Sequence, residues 1–157
     1  MPIRREHRHF YPIDWRELSA AIRFGRAKGR CERCGRPHGE SVYHLPGGRW
    51  FDEAAGCWRD GRGRPVRRPL PDPRQPEQAG GAAMVPGKGG EPWRRIAVRL
   101  SCAHLDQDTA NNSDGNLAAL CQSCHLNHDR PWNMQKRRLT ILMRRALGDL
   151  FEGPYRR

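Results

Sequence analysis

The stretch CAHLDQDTANNSDGNLAALCQSCH, residues 102–125, decides the fold. It closes on a Cys-x-x-Cys-His turn made by Cys121, Cys124 and His125. It opens on His104 and Asp106, at the end of an alternating apolar run. Between them lies DTANNSDGN, rich in Asn, Asp, Ser and Gly, whose side chains bond nearby backbone or tolerate unusual φ and so favour turns. The expected order is strand, turn, the apolar segment LAALC, knuckle, then a short helix.

A second Cys-x-x-Cys, CERC, stands at residues 31–34. Together the two pairs supply four thiolates, from Cys31, Cys34, Cys121 and Cys124. A two-residue spacer lets both sulfurs of a pair reach one ion at about 2.3 Å, and two such pairs make a closed tetrahedral zinc site. A closed site has no open position, so this zinc is expected to staple the fold rather than react. The pairs are too far apart for a simple zinc ribbon. Cys57 and Cys102 are left over and read as small apolar residues.

Working outward, Asp14 followed by Glu17 has the spacing of a capping box. The helix it opens, WRELSAAIRFGRAKG, sets Trp15, Leu18 and Ile22 on one face, and Gly29 suits its end. Residues 42–44 and 49–51 read as short strands around the turn residues Pro46, Gly47 and Gly48. Residues 61–92, dense in Gly and Pro, read as a long inserted loop, flexible unless something holds it. RRIAVRLSCAHLD reads as one strand with Ile96, Val98 and Leu100 on one face. Pro131 is expected to end the helix after the knuckle. Asn133 is expected to cap a last helix that packs through Ile141, Leu142, Ala146 and Leu147.

The 157 residues suit one small α+β domain. Its expected parts are a basic arm (1–13), helix and first knuckle (14–36), hairpin (37–60), insertion (61–92), core with second knuckle (93–130) and basic C-terminal helix (131–157). Only 36% of residues are hydrophobic, so the core is small and a metal staple would help. The net charge is +12, and all but three of the 29 basic residues are Arg. Arg forks match phosphate oxygens two at a time, which points to a polyanion partner. The expected contacts are Arg16, Arg23 and Arg26 on the first helix, with Arg130, Lys136, Arg137 and Arg138 further on. No apolar run approaches the ~18 residues of a membrane span, and the N-terminus lacks an apolar signal segment. A cytoplasmic location follows as an expectation, and reduced thiols there favour metal ligation over disulfides.

The order of His104 in CAHLD, Asn116 in GNL and His125 in CQSCH, with a second Cys-x-x-Cys upstream, resembles the HNH endonucleases, the ββα-metal or His-Me finger nucleases, in a form seen in phage and bacterial proteins. YPIDW, CERCG and ALGDLF also look like such proteins, so the likeness covers most of the chain outside residues 37–92. The resemblance implies a metal-dependent endonuclease that hydrolyses DNA, double-stranded first of all, to 5′-phosphate and 3′-hydroxyl ends. It implies His104 as general base, Asn116 as the brace of that geometry, and His125 as holder of a divalent ion such as Mg²⁺ or Mn²⁺. Many members carry Asp or His just before the base, where this chain has Ala103. Asp106, expected on the same strand face as His104, is a candidate replacement ligand, with His128 and Asp129 one turn past His125. Two alternatives fit the same features. One is a zinc-stapled DNA-binding module without catalysis. The other is an accessory subunit of a phage or defence assembly. A homodimer or larger nucleoprotein assembly is compatible with each.

Overall fold

Residues 9–67, 70–75 and 94–151 are described by the computed structural model, with backbone alone for 147–151. The start of the basic arm, residues 68–69 and 76–93, the Leu147 side chain and the C-terminal tail lie outside this description. The chain divides into two compact units, Met1–His125 and Leu126–Arg157. The secondary structure is small α+β: two α-helices with two antiparallel sheets.

The first helix, α1, spans Trp15–Ala20 and continues as a widened π turn over Ala21–Arg26. The capping box does not form. Asp14 has φ −94° and ψ 21°, and its side chain makes no cap bond, because an N-cap carboxylate reaches the first turn from extended backbone. Only the Asp14 carbonyl takes part, accepting the Leu18 N–H at 3.0 Å. In the π turn the Ala27 N–H reaches five residues back to the Ile22 carbonyl at 3.0 Å. Ile22 is buried, and Trp15 and Leu18 pack against the same core. Gly29 follows with φ +70°, the left-handed conformation that ends helices at low cost.

Strands β1 (Ser41–His44), β2 (Trp50–Asp52), β3 (Cys57–Arg59) and β4 (Arg94–Ala97) form one sheet in the order β3-β2-β1-β4. Strands β5 (Leu100–His104) and β6 (Leu117–Cys121) form a separate antiparallel hairpin, with His104 opposite Leu117 and Ala103 opposite Ala118. The run expected as one strand from Arg94 is therefore two strands in two sheets. The break falls at Val98 and Arg99. There the Val98 N–H bonds the Glu40 carbonyl, the Val98 carbonyl takes the Gly39 N–H, each at 2.8 Å, and His38 Nδ1 accepts the Leu100 N–H at 2.9 Å. The segment after the first knuckle captures the backbone at that point and turns it from one sheet to the other.

The described part of the insertion is more structured than its composition suggests. Leu45, Phe51 and Trp58 form a second small core, with Tyr43, Val66 and Leu70 packed against it. Trp58 Nε1 donates to the Pro71 carbonyl at 2.9 Å, so the Pro-rich strap is tied to the sheet. The main core lies around the hairpin, with Ile22, Val42, Trp50, Leu100, Leu117, Leu120 and the four paired cysteines buried together.

The last helix, α2, runs unbroken from Gln122 to Phe151 and contains Pro131. Proline removes one i→i−4 bond, but Pro131 and its surroundings are exposed, so water can serve the freed carbonyl. The expected packing of the C-terminal segment is not seen. Ile141, Leu142 and Ala146 are exposed. Among the described residues no helix is long and apolar enough to cross a membrane.

Candidate functional site

Local backbone brings the two Cys-x-x-Cys turns together. After Gly29 the chain turns so that the Gly35 N–H bonds the Cys31 carbonyl at 2.8 Å and the Cys31 N–H bonds the Arg36 carbonyl at 2.9 Å. Glu32, inside the first turn, clamps the strand that leads into the second pair: its N–H meets the Ala119 carbonyl at 2.9 Å, and its Oε2 accepts the Ala119 N–H at 2.6 Å. Across this clamp, Sγ atoms of Cys31, Cys34, Cys121 and Cys124 all lie within 4.8 Å of one another, and all four residues are buried. Tetrahedral ligands at about 2.3 Å from zinc stand about 3.8 Å apart. The Cys34 and Cys121 sulfurs are 3.7 Å apart. The Cys121 N–H also points at Cys31 Sγ, at 3.3 Å. The four cysteines thus form a site that could hold a structural metal such as zinc.

Arg36 strengthens that assignment. It is 4% exposed, its Nη1 lies 3.6 Å from Cys34 Sγ and 3.7 Å from Cys121 Sγ, and its Nη2 donates to the Gly48 carbonyl at 2.7 Å. Its guanidinium also lies over the Trp50 ring at 5.7 Å. A buried cation needs a buried anion. Four thiolates around a divalent ion carry a formal charge of −2, and the guanidinium offsets part of it. Sequence reading missed Arg36. The only signal was its place two residues past the knuckle. Burial pushes the half-buried Cys102 thiol up to about 11, so it stays protonated at neutral pH.

His104 ends β5, and the turn after it is tightly organised. Asn116 receives the Asp106 N–H on Oδ1 at 3.0 Å and donates through Nδ2 to Asp106 Oδ1 and the Asn111 carbonyl, both at 2.8 Å. Its own carbonyl accepts the Leu105 N–H at 2.8 Å. Asp106 lies past the end of the strand, so strand alternation does not carry it to the face of His104. Its carboxylate instead accepts the Asp108 N–H at 2.8 Å and Asn111 Nδ2 at 2.7 Å. The Asp108 N–H, then Asn111 and Asn116, hold that carboxyl below the usual range.

The residue that holds His104 is Asn112. His104 Nε2 lies 3.0 Å from Asn112 Oδ1. Asn112 Nδ2 faces the carbonyls of Ala110, Phe10 and Thr109 at 3.2–3.5 Å, which fixes the amide with Oδ1 toward the imidazole. The Nε2 proton then donates to Asn112, and Nδ1 carries the lone pair. Trp15 stacks on the ring at 5.3 Å and 10°, and Tyr11 meets it edge-on at 5.7 Å. The first helix and the arm before it thus set the imidazole plane.

His125 begins beyond the second knuckle, and Ser101 Oγ lies 2.8 Å from its Nδ1. The Ser101 hydroxyl faces the Leu120 carbonyl at 3.4 Å. If its one proton goes there, Nδ1–H donates to Ser101 and Nε2 holds the lone pair. Alternation along β5 places Ser101 and Ala103 on one face, Cys102 and His104 on the other. Ala103 is buried and offers only a methyl group. His128 and Asp129 belong to the second unit, where His128 Nε2 is buried without a hydrogen-bond partner. Among the described residues, the four cysteines are the only group of three or more His, Cys, Asp or Glu with ligand atoms this close.

No family model, no curated protein and no solved structure matches this chain.

The expected nucleic-acid contacts divide. Arg26 is engaged internally: Nε and Nη2 meet the Glu32 carboxylate at 2.9 and 3.0 Å, Nη1 meets the Asp114 carbonyl and carboxylate at 2.9 and 3.0 Å, and Nη2 also meets the Leu117 carbonyl. It ties the π turn to the knuckle and to the hairpin, and its fork is not available to phosphate. Arg23 donates to the Ser19 carbonyl at 3.0 Å and lies over Phe24. Arg16 is exposed. In the second unit, Lys136 lies 5.1 Å over the Trp132 ring, Arg130 and Arg138 line one shallow hollow with Met134, and Arg137 is exposed.

Proposed function

We propose that this chain is a metal-dependent endonuclease of the HNH, or ββα-metal, kind that hydrolyses DNA phosphodiester bonds. The observation that carries the reading is the pair of histidines on the β5–β6–α2 segment, each with one ring nitrogen held by a neighbour. His104 is held by Asn112 and His125 by Ser101. A general base needs a defined lone pair, and Nδ1 of His104 has one because Nε2–H is committed to Asn112. With that lone pair the ring can take a proton from water. Trp15 limits how the ring can turn, and Asn116 holds the loop from which Asn112 reaches. A divalent ion, Mg²⁺ or Mn²⁺, would supply charge neutralisation at the phosphate. His125 is the residue to hold it, with water or substrate oxygens completing the shell. The zinc centre fixes the start of α2 and so the position of His125.

A second reading has its own observation. Ala103 stands, buried, where many family members have a ligand, which favours a zinc-stapled DNA-binding module without catalysis. An accessory role in a larger phage or defence assembly is compatible with either. The test is supercoiled plasmid incubated with zinc-loaded protein and added Mg²⁺ or Mn²⁺, beside His104→Ala. Nicked or linear DNA that needs the added metal, with a loss of about 10²–10⁴-fold in the variant, is the expected result. Intact plasmid under every metal, with equal DNA binding by both proteins, establishes the binding module instead.

A further inference from the structure

A cleft of about 350 Å³ opens between the first Cys-x-x-Cys turn and the loop that follows β3. Arg30 and Arg33 stand on one wall, Arg59 and Arg62 on the other. The walls touch at Gly63. A Cβ there would lie 2.8 Å from the Cys34 carbonyl oxygen, and its φ is +80°, so only glycine lets the loop close against the knuckle.

The acidic groups of this cleft are already engaged. Asp52 is buried and bound by Arg59 Nε at 2.7 Å. Burial alone would raise its pKa, but Arg59 and the Ala55 N–H bring it below the usual carboxylate range. Glu32 is held by Arg26 and the Ala119 N–H. Arg30 donates to the Gly35 carbonyl at 3.1 Å. The guanidinium groups of Arg33 and Arg62 are exposed and have no protein partner among the described residues.

The loop bearing Arg62 is built around one carboxylate. Asp60 Oδ1 accepts the N–H groups of Arg62 and Arg64 at 2.8 and 3.0 Å, and Oδ2 takes Arg64 Nε at 2.8 Å. Arg59 Nη1 adds a bond to the Gly63 carbonyl at 2.9 Å, and the Val66 N–H returns to the Trp58 carbonyl at 2.9 Å. Ordering backbone opposes folding entropically, and this Gly-rich loop is ordered through several such bonds. What the ordering presents is positive charge on both sides. Beyond the loop, Arg49, Arg64 and Arg67 line a second hollow of about 590 Å³.

We propose that the first Cys-x-x-Cys turn and the loop at residues 60–67 form a phosphate-binding cleft for the backbone of DNA, contacted by Arg33 and Arg62 and separate from the His104 region. This rests on the reading of the chain as a DNA-directed protein. A planar guanidinium fork matches phosphate oxygens, and such contacts set position without reading sequence. The zinc knuckle then has a second use, as the rigid wall that holds Arg33 opposite Arg62.

The test uses the full zinc-loaded chain and a fluorescein-labelled DNA duplex, followed by anisotropy across a range of salt. Arg33→Gln/Arg62→Gln is compared with wild type and with Arg33→Lys/Arg62→Lys. Each phosphate contact adds about 0.9 to the slope of log affinity against log salt, so the Gln variant should lose about two in slope. The Lys variant should keep it, and zinc content should be equal in all three. Wild-type binding with an unchanged slope in the Gln variant overturns the cleft and leaves the DNA reading standing. No binding by wild type at low salt overturns both.

Discussion

At the four-cysteine centre every cysteine is buried, two on a turn clamped by backbone bonds, one at the end of β6 and one in the first turn of α2. Around His104 the bonds run through the exposed side chains of Asp106 and Asn111 and the half-buried Asn112 and Asn116. The first region closes on itself: Glu32 ties the first knuckle to β6, and Arg36 sits against the sulfurs of Cys34 and Cys121. The second leaves one face of its loop to solvent. On the proposed nuclease reading, the difference separates holding from reacting. A tetrathiolate with no open position serves best when nothing reaches it, whereas a base, as proposed for His104, must meet its substrate. The scales also differ. A structural zinc contributes about 10–16 kcal/mol, a single hydrogen bond about 0.5–1.5 kcal/mol.

The largest effect that would test this division is loss of a cysteine ligand. Cys121→Ser should abolish tight zinc binding and unfold the first unit, because the metal term matches the whole stability of a typical domain, about 5–15 kcal/mol. Metal content and far-UV circular dichroism would report it. A Cys121→Ser protein with native dichroism and thermal midpoint would make the two hydrophobic cores sufficient and the staple dispensable.

A smaller effect is expected at Arg36. Arg36→Met keeps the contact with Trp50 and removes the charge beside Cys34 and Cys121. Removing one member of a buried charge pair costs about 3–5 kcal/mol, so zinc affinity should fall by roughly 100-fold or more in a chelator competition. Unchanged affinity would reduce Arg36 to a packing residue that links Gly48 and Trp50 to the knuckle.

What could be read in the sequence followed the same division. The cysteine pairs announce themselves because ligand spacing is short-range and chemically strict. The turn at residues 108–116 was also legible, since Asn, Asp and Gly act on their own neighbours. What could not be read depends on partners distant in the chain. The alternation of Ile96, Val98 and Leu100 looks like one strand until Glu40 and His38 capture the backbone between them. The strap near Pro71 looks formless until Trp58 is seen to bind it. Arg26 reads as a surface cation because nothing local reveals that Glu32 and Asp114 converge on it. Pro131 reads as a stop because its exposure, which lets water serve the freed carbonyl, is a tertiary property.

Asn112 gives the finest probe of the second region. Asn112→Ala removes the acceptor for His104 Nε2–H and leaves the Trp15 stack and the Asn116 network in place. Zinc content and thermal midpoint should stay near wild type, since one half-buried hydrogen bond is at stake. Metal-dependent cleavage should fall by about 10–100-fold, the usual loss when the partner that orients a functional histidine is removed. The ring would then exchange tautomers freely, so the loss should fall on kcat rather than KM, and the histidine resonances should show both tautomers by NMR. Asn112→Asp restores an acceptor and should recover part of the rate. Equal rates in all three proteins would mean that stacking on Trp15 alone orients His104, and the contrast between a clamped centre and a hydrogen-bond-tuned one would lose its basis.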